Sequence, residues 1–141
     1  MIQHAHWTQA YLGEPWSHER DCWAFARQVW AQHFGLDVPE LILPAHDVLS
    51  CIAAAQAAQA DTDWIPVREG EERDGDAALI GRGDREPHHA GVWVDVGGRM
   101  RVLHCLRGPG VVSTDRAVLA RLGLRVVRSW RSPQLAAGGH A

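Results

Sequence analysis

The stretch His89-Ala90-Gly91-Val92-Trp93-Val94-Asp95-Val96-Gly97-Gly98-Arg99-Met100-Arg101-Val102-Leu103-His104-Cys105-Leu106 reads as two strands folded back on one another. Both halves are rich in β-branched and aromatic residues, and Gly-Gly between them is a tight-turn signal. A turn centred on Gly97-Gly98 sets Gly91 opposite His104 and Leu106 opposite His89. Side chains alternate along a strand, so His89 and His104 then share a face at diagonal positions. Such neighbours lie roughly 7–8 Å apart, within reach of an imidazole–imidazole hydrogen bond. His88 and Cys105 point to the other face, and Gly91 leaves room across from His104. The pairing depends on register, because an odd-length loop would put the two histidines on opposite faces.

Working outward, Trp64–Val67 and Ala77–Ile80 precede the hairpin as shorter strands, and Leu124–Trp130 follows it as a last one. Ser113 or Thr114 is expected to cap a short helix running to Leu122 and ended by Gly123. Towards the N-terminus the texture is helical. From Asp21 to Phe34, apolar Cys22, Phe25, Ala26, Val29 and Trp30 fall at helical spacing, leaving Arg27, Gln28 and Gln32 for solvent. Asp21 is the expected cap and Gly35 the expected stop. A second, alanine-rich helix is expected over Asp47 to Ala60, and Met1–Tyr11 reads as a short helix or arm. Helices first and a mostly antiparallel sheet after them make an α+β domain. No linker or repeat divides it, so residues 1–135 read as one domain and 136–141 as a flexible tail.

The chain has 141 residues with a net charge of -3, so no basic field points to a nucleic-acid partner. All 14 cationic side chains are arginine. No apolar run approaches the length of a membrane span, so no membrane insertion is expected. Met1-Ile2-Gln3-His4 shows no basic or apolar leader region, and the expectation is synthesis in the cytoplasm without an ordinary signal peptide. The 3 cysteines, Cys22, Cys51 and Cys105, make no CxxC pair and suggest no disulfide framework.

Cys22 opens its helix, where unpaired N–H groups and the positive end of the helix dipole favour an anion. A thiol in that setting is biased towards the reactive thiolate. The plain alternative is a small buried hydrophobe, the reading given to Cys51 and Cys105. His89 and His104 supply what a nucleophile needs, a base and a group that orients it. Zinc held by His88, His89, His104 and Cys105 is disfavoured, because strand alternation sends those four side chains to opposite faces. No metal or cofactor is expected.

Read in order, Gly13-Glu14-Pro15-Trp16, Asp21-Cys22, Gly75-Asp76, His89-Ala90-Gly91-Val92-Trp93 and His104 resemble the pattern of the NlpC-type (NlpC and p-sixty) cell-wall cysteine peptidases, compact relatives of papain. The resemblance covers residues 11 to about 112. It implies a papain-like fold and a triad of Cys22, His89 and His104. The implied reaction is hydrolysis of a peptide bond in the peptidoglycan stem peptide, commonly that between D-glutamate and the diamino acid. Trp16, Asp21, Trp23 and Gly91 are the expected substrate contacts.

The chain departs from the pattern in two places: Trp23-Ala24 stands where Ser-Gly usually follows the cysteine, and Trp16 stands where a tyrosine is usual. Trp23, Arg27, Trp30 and the closing Ser129-Trp130-Arg131 look more like the phage-tail branch, which implies phage tail proteins as partners and a virion location. Two alternatives stand beside the peptidase reading. One is a catalytically weak tail assembly component, the other a cysteine amidase or acyltransferase on a different substrate. Seven tryptophans suit a groove for sugars or flat groups as well as core packing. The charged run Arg68 to Arg73 reads as a solvated loop.

Overall fold

In a computed structural model, which describes residues 5–38, 64–83 and 87–138, the hairpin forms in the expected register. Strand β3 (His89–Val96) and strand β4 (Arg99–Leu106) pair antiparallel from Val92–Leu103 to Val96–Arg99. Gly97 and Gly98 both take positive φ, 61° and 88°, the two left-handed positions a type I′ hairpin requires. Four more strands complete the sheet: β1 (Ile65–Val67), β2 (Ala77–Gly81), β5 (Gly110–Thr114) and β6 (Arg125–Arg131). Their order is β1-β6-β2-β3-β4-β5, with every pairing antiparallel.

Helix α1 (Cys22–Phe34) begins where Asp21 accepts a hydrogen bond from the Ala24 N–H, and ends at Gly35. It packs on β3 and β4. Its Trp23, Phe25, Ala26, Val29 and Trp30 share one apolar cluster with Ala90, Val92, Val94, Leu103 and Cys105. A smaller cluster covers the opposite face of the sheet, where Ala78, Ile80, Trp93 and Val102 meet Leu119 of helix α2 (Arg116–Arg121). The protein is thus α+β, with its N-terminal helix packed on an antiparallel sheet. Among the described residues no helix is long and apolar enough to cross a membrane.

Some expectations change. Val111-Val112-Ser113-Thr114, expected to lead into a helix, is instead edge strand β5, and Asp115 caps α2 by accepting from Val118 N–H. Two valines and a threonine favour an extended chain, and β4 offers them an open edge. Within the expected short helix or arm, Trp7–Ala10 forms a 3-10 turn. At the other end a short helix, α3 (Pro133–Gly138), takes in the first three residues of the expected tail. The alanine-rich helix and Cys51 lie outside the described residues.

Within the run Arg68 to Arg73, Glu72 is not solvated. Its side chain is 3% exposed and bonds the Arg116 guanidinium at 3.1 Å, while that guanidinium sits 4.8 Å over the Trp93 ring. This clamp ties the loop before β2 to the start of α2, a contact between residues far apart in sequence.

Candidate active site

Strand register delivers the two histidines to each other. His89, the first residue of β3, bonds through Nε2 to Nδ1 of His104 on β4 at 2.8 Å. The rings are tilted by 66° with centroids 5.0 Å apart. Past His104 the chain of hydrogen bonds continues, since its Nε2 lies 2.8 Å from Oγ1 of Thr114 on β5. Sequence reasoning missed Thr114. The signal was present, because pairing of Val102 with Thr114 puts Thr114 diagonal to His104 on the same face. The helix cap expected at Ser113 or Thr114 masks it.

Gly91 makes the pair possible. A Cβ there would lie 2.7 Å from Val102 Cγ1, 2.9 Å from His104 Cβ and 3.0 Å from the Leu103 carbonyl. None of these is the free end of a flexible side chain. Gly91, expected to touch substrate, is therefore a buried spacer beneath His104. Gly91→Ala is expected to lower stability by about 1–3 kcal/mol, the cost of overpacking a filled site. It should also push the two rings apart. Thermal melts and a crystal structure of the variant check the two effects separately.

Burial sets the protonation of the pair. His104 is fully buried, and desolvation lowers its pKa to about 4. His89 keeps part of its surface exposed, yet burial, with smaller contributions from His104 and His88, pushes its pKa well below the usual value. Both rings are neutral at pH 7, so His89 is able to accept a proton there. In the unfolded chain each histidine gains its proton near pH 6.5. Between that pH and the folded value the unfolded state binds more protons, so stability falls as pH drops through this window. For His104 the window runs from about 6.5 down to about 4, worth about 3 kcal/mol. Urea melts at pH 7 and pH 4.5 should show this loss, and His104→Gln should remove much of the difference between them.

Cys22 sits at the capped start of α1, partly exposed. Cys105 is buried on the face that α1 covers, with Sγ 4.0 Å from the carbonyl of Arg20, two residues before Cys22. The start of α1 is thus held near the end of β4, the same end of the sheet as His89. His89 and His104 alternate with Ala90, Leu103 and Cys105, so their side chains project from the face that α2 covers. His89, Ala90 and Gly91 lie beyond the end of the β3–β4 ladder. The structure brings His89 and His104 together and places the start of α1, where Cys22 sits, at their end of the sheet.

The other expected contacts divide. The Asp21 carboxylate is engaged in capping α1, bonding the Ala24 N–H at 2.9 Å. Trp23 is only 9% exposed and packs edge-on to Trp30, ring centroids 5.6 Å apart, so it is core and not groove wall. Its position one residue after Cys22 suggested otherwise, but a 100° turn of helix carries the next side chain inward. Trp16 is partly buried, with the Arg107 guanidinium 4.8 Å above its ring and His18 beside it at 5.0 Å. That cation–aromatic pair occupies the place where the resemblance implies a tyrosine.

No protein-family model and no curated protein matches this chain.

Proposed function

We propose that the protein is a cysteine hydrolase acting on peptide bonds of peptidoglycan, with Cys22 as nucleophile, His89 as base and His104 as the group that orients the base. The observation that carries this reading is the buried hydrogen-bond chain His89–His104–Thr114, ending in a neutral imidazole at the sheet end where Cys22 opens α1. With Nε2 of His89 engaged by His104, Nδ1 is the nitrogen left for the thiol proton. Cys22 sulfur attacks the scissile carbonyl carbon, and His89 holds the thiol proton and passes it to the departing amine. Water then attacks the acyl-enzyme, giving its proton back to His89, and the carboxylic acid leaves as the thiol re-forms. The Cys22 backbone N–H, at the positive end of the helix, is suited to the developing oxyanion.

The substrate class comes from the ordered resemblance to the NlpC-type peptidases. An association with phage tails rests on the same kind of resemblance, carried by Trp23, Arg27, Trp30 and Ser129-Trp130-Arg131. Arg27 Nε bonds the Val38 carbonyl at 2.7 Å, Trp30 Nε1 bonds the Gly75 carbonyl at 2.9 Å, and Ser129 Oγ accepts from Trp93 Nε1 at 2.9 Å. These contacts hold the fold and touch no reacting group.

A second reading is a non-catalytic tail component with the same fold, motivated by Trp16 and Trp23 standing where the resembled pattern has tyrosine and serine. The two differ in thiol reactivity. Purified protein should be incubated with isolated peptidoglycan and the soluble fragments read by mass spectrometry. New termini within the stem peptide support the peptidase, and new termini elsewhere point to the amidase chemistry. No new termini, together with a Cys22 alkylated at pH 6 no faster than Cys51 and Cys105, would leave the non-catalytic reading standing.

A further inference from the structure

Thr114 is the third member of the histidine chain, and its hydroxyl has a chemical consequence that reaches His89. Thr114 is 3% exposed and His104 has no exposed surface, so water does not readily replace either partner. Two directions of hydrogen bonding fit the 2.8 Å contacts. In one, the hydroxyl donates to His104 Nε2. His104 then carries its proton on Nδ1 and donates to His89 Nε2, and the His89 proton must sit on Nδ1. In the other, His104 Nε2–H donates to the hydroxyl, His104 Nδ1 accepts from His89 Nε2–H, and Nδ1 of His89 is left with its lone pair. Only the second direction lets His89 accept a proton at Nδ1. It alone survives that protonation, because the imidazolium must donate from Nε2.

We propose that Thr114 is a positioning residue, whose hydroxyl accepts from His104 Nε2–H and thereby fixes His89 as the tautomer with a free Nδ1. The inference rests on the proposed role of His89 as the base. A serine at position 114 keeps the acceptor, whereas the near-isosteric valine removes it and leaves the His104 N–H buried without a partner.

The test has two independent readouts. Nitrogen-15 spectra of histidine-labelled protein at pH 7.5 report which ring nitrogen carries the proton. In the unmodified chain both His89 and His104 should appear as Nε2–H tautomers. Thr114→Val should shift His104 away from that form and give His89 a mixture, and Thr114→Ser should restore both. Peptidoglycan cleavage by Thr114→Val should fall roughly ten- to a hundredfold in kcat, as expected for an unpaired buried donor, with recovery in Thr114→Ser. An Nδ1–H His104 in the unmodified chain would overturn the proposal without any variant. So would unchanged tautomers in Thr114→Val. Should the tautomers respond as expected while no form of the protein cleaves peptidoglycan, the relay stands and the hydrolase reading falls.

Discussion

Cys22→Ala is expected to reduce peptidoglycan cleavage by roughly a thousandfold or more, since a covalent mechanism has no second nucleophile to fall back on. The substitution should leave the fold alone. Cys22 is partly exposed and belongs to neither apolar cluster, and alanine is the strongest helix former. Its midpoint in urea should therefore stay within about 0.5 kcal/mol of the parent. Cys105→Ala gives the opposite pattern. Cys105 is buried in the main core, so that variant should lose about 1 kcal/mol of stability and keep its activity. Equal cleavage by the parent and Cys22→Ala would end the cysteine-hydrolase reading outright.

The largest stability effect is expected at Arg131→Met. Asp76 has no exposed surface, and Arg131 holds it with two hydrogen bonds, Nε at 2.9 Å and Nη2 at 2.8 Å. Among the described residues, its carboxylate otherwise accepts only from the Arg73 backbone N–H, at 2.8 Å. Bonding to Asp76 raises the Arg131 pKa further, against the effect of burial. Removing the guanidinium leaves a buried carboxylate with one donor, which typically costs about 3–5 kcal/mol. The Arg131 side chain is 16% exposed, so some water can enter and the lower end of that range is the better figure. Urea unfolding measures it. Asp76→Asn, which removes the charge but keeps an acceptor, should cost less. The double variant should be less destabilised than the sum of the two, because the stranded charge is then absent.

That ion pair also explains one of the sequence motifs. Gly75 and Asp76 read as a marker before a strand, with no function visible from the sequence. In the fold, the Gly75 carbonyl accepts the Trp30 indole N–H and the Asp76 carbonyl accepts the Trp93 N–H at 2.7 Å. The dipeptide joins α1 to β2 and β3, the elements that carry Cys22 and His89 to one end of the sheet.

The legible parts of this protein are those whose cause is local. The hairpin, the shared face of His89 and His104, the capped start of α1 at Cys22 and the α+β class all follow from alternation, helical spacing, a Gly-Gly turn and an Asp cap. Each acts within a few residues of itself. What only the tertiary structure decided is how those pieces meet. Val111–Thr114 became a strand because β4 presented an unpaired edge, and this brought Thr114 to His104. Trp23 turned into the core because α1 lies across β3 and β4. Glu72 lost its water because α2 brought Arg116 to it. The face of the sheet that α1 covers was fixed by packing Ala90, Leu103 and Cys105 against Trp30 and its neighbours, which leaves the histidine pair facing α2. A strand's own pattern separates its two faces but carries no label for the partner each will receive. The sequence therefore determined the histidine pair and the helix that carries the thiol, and packing between distant segments brought them to the same end of the sheet.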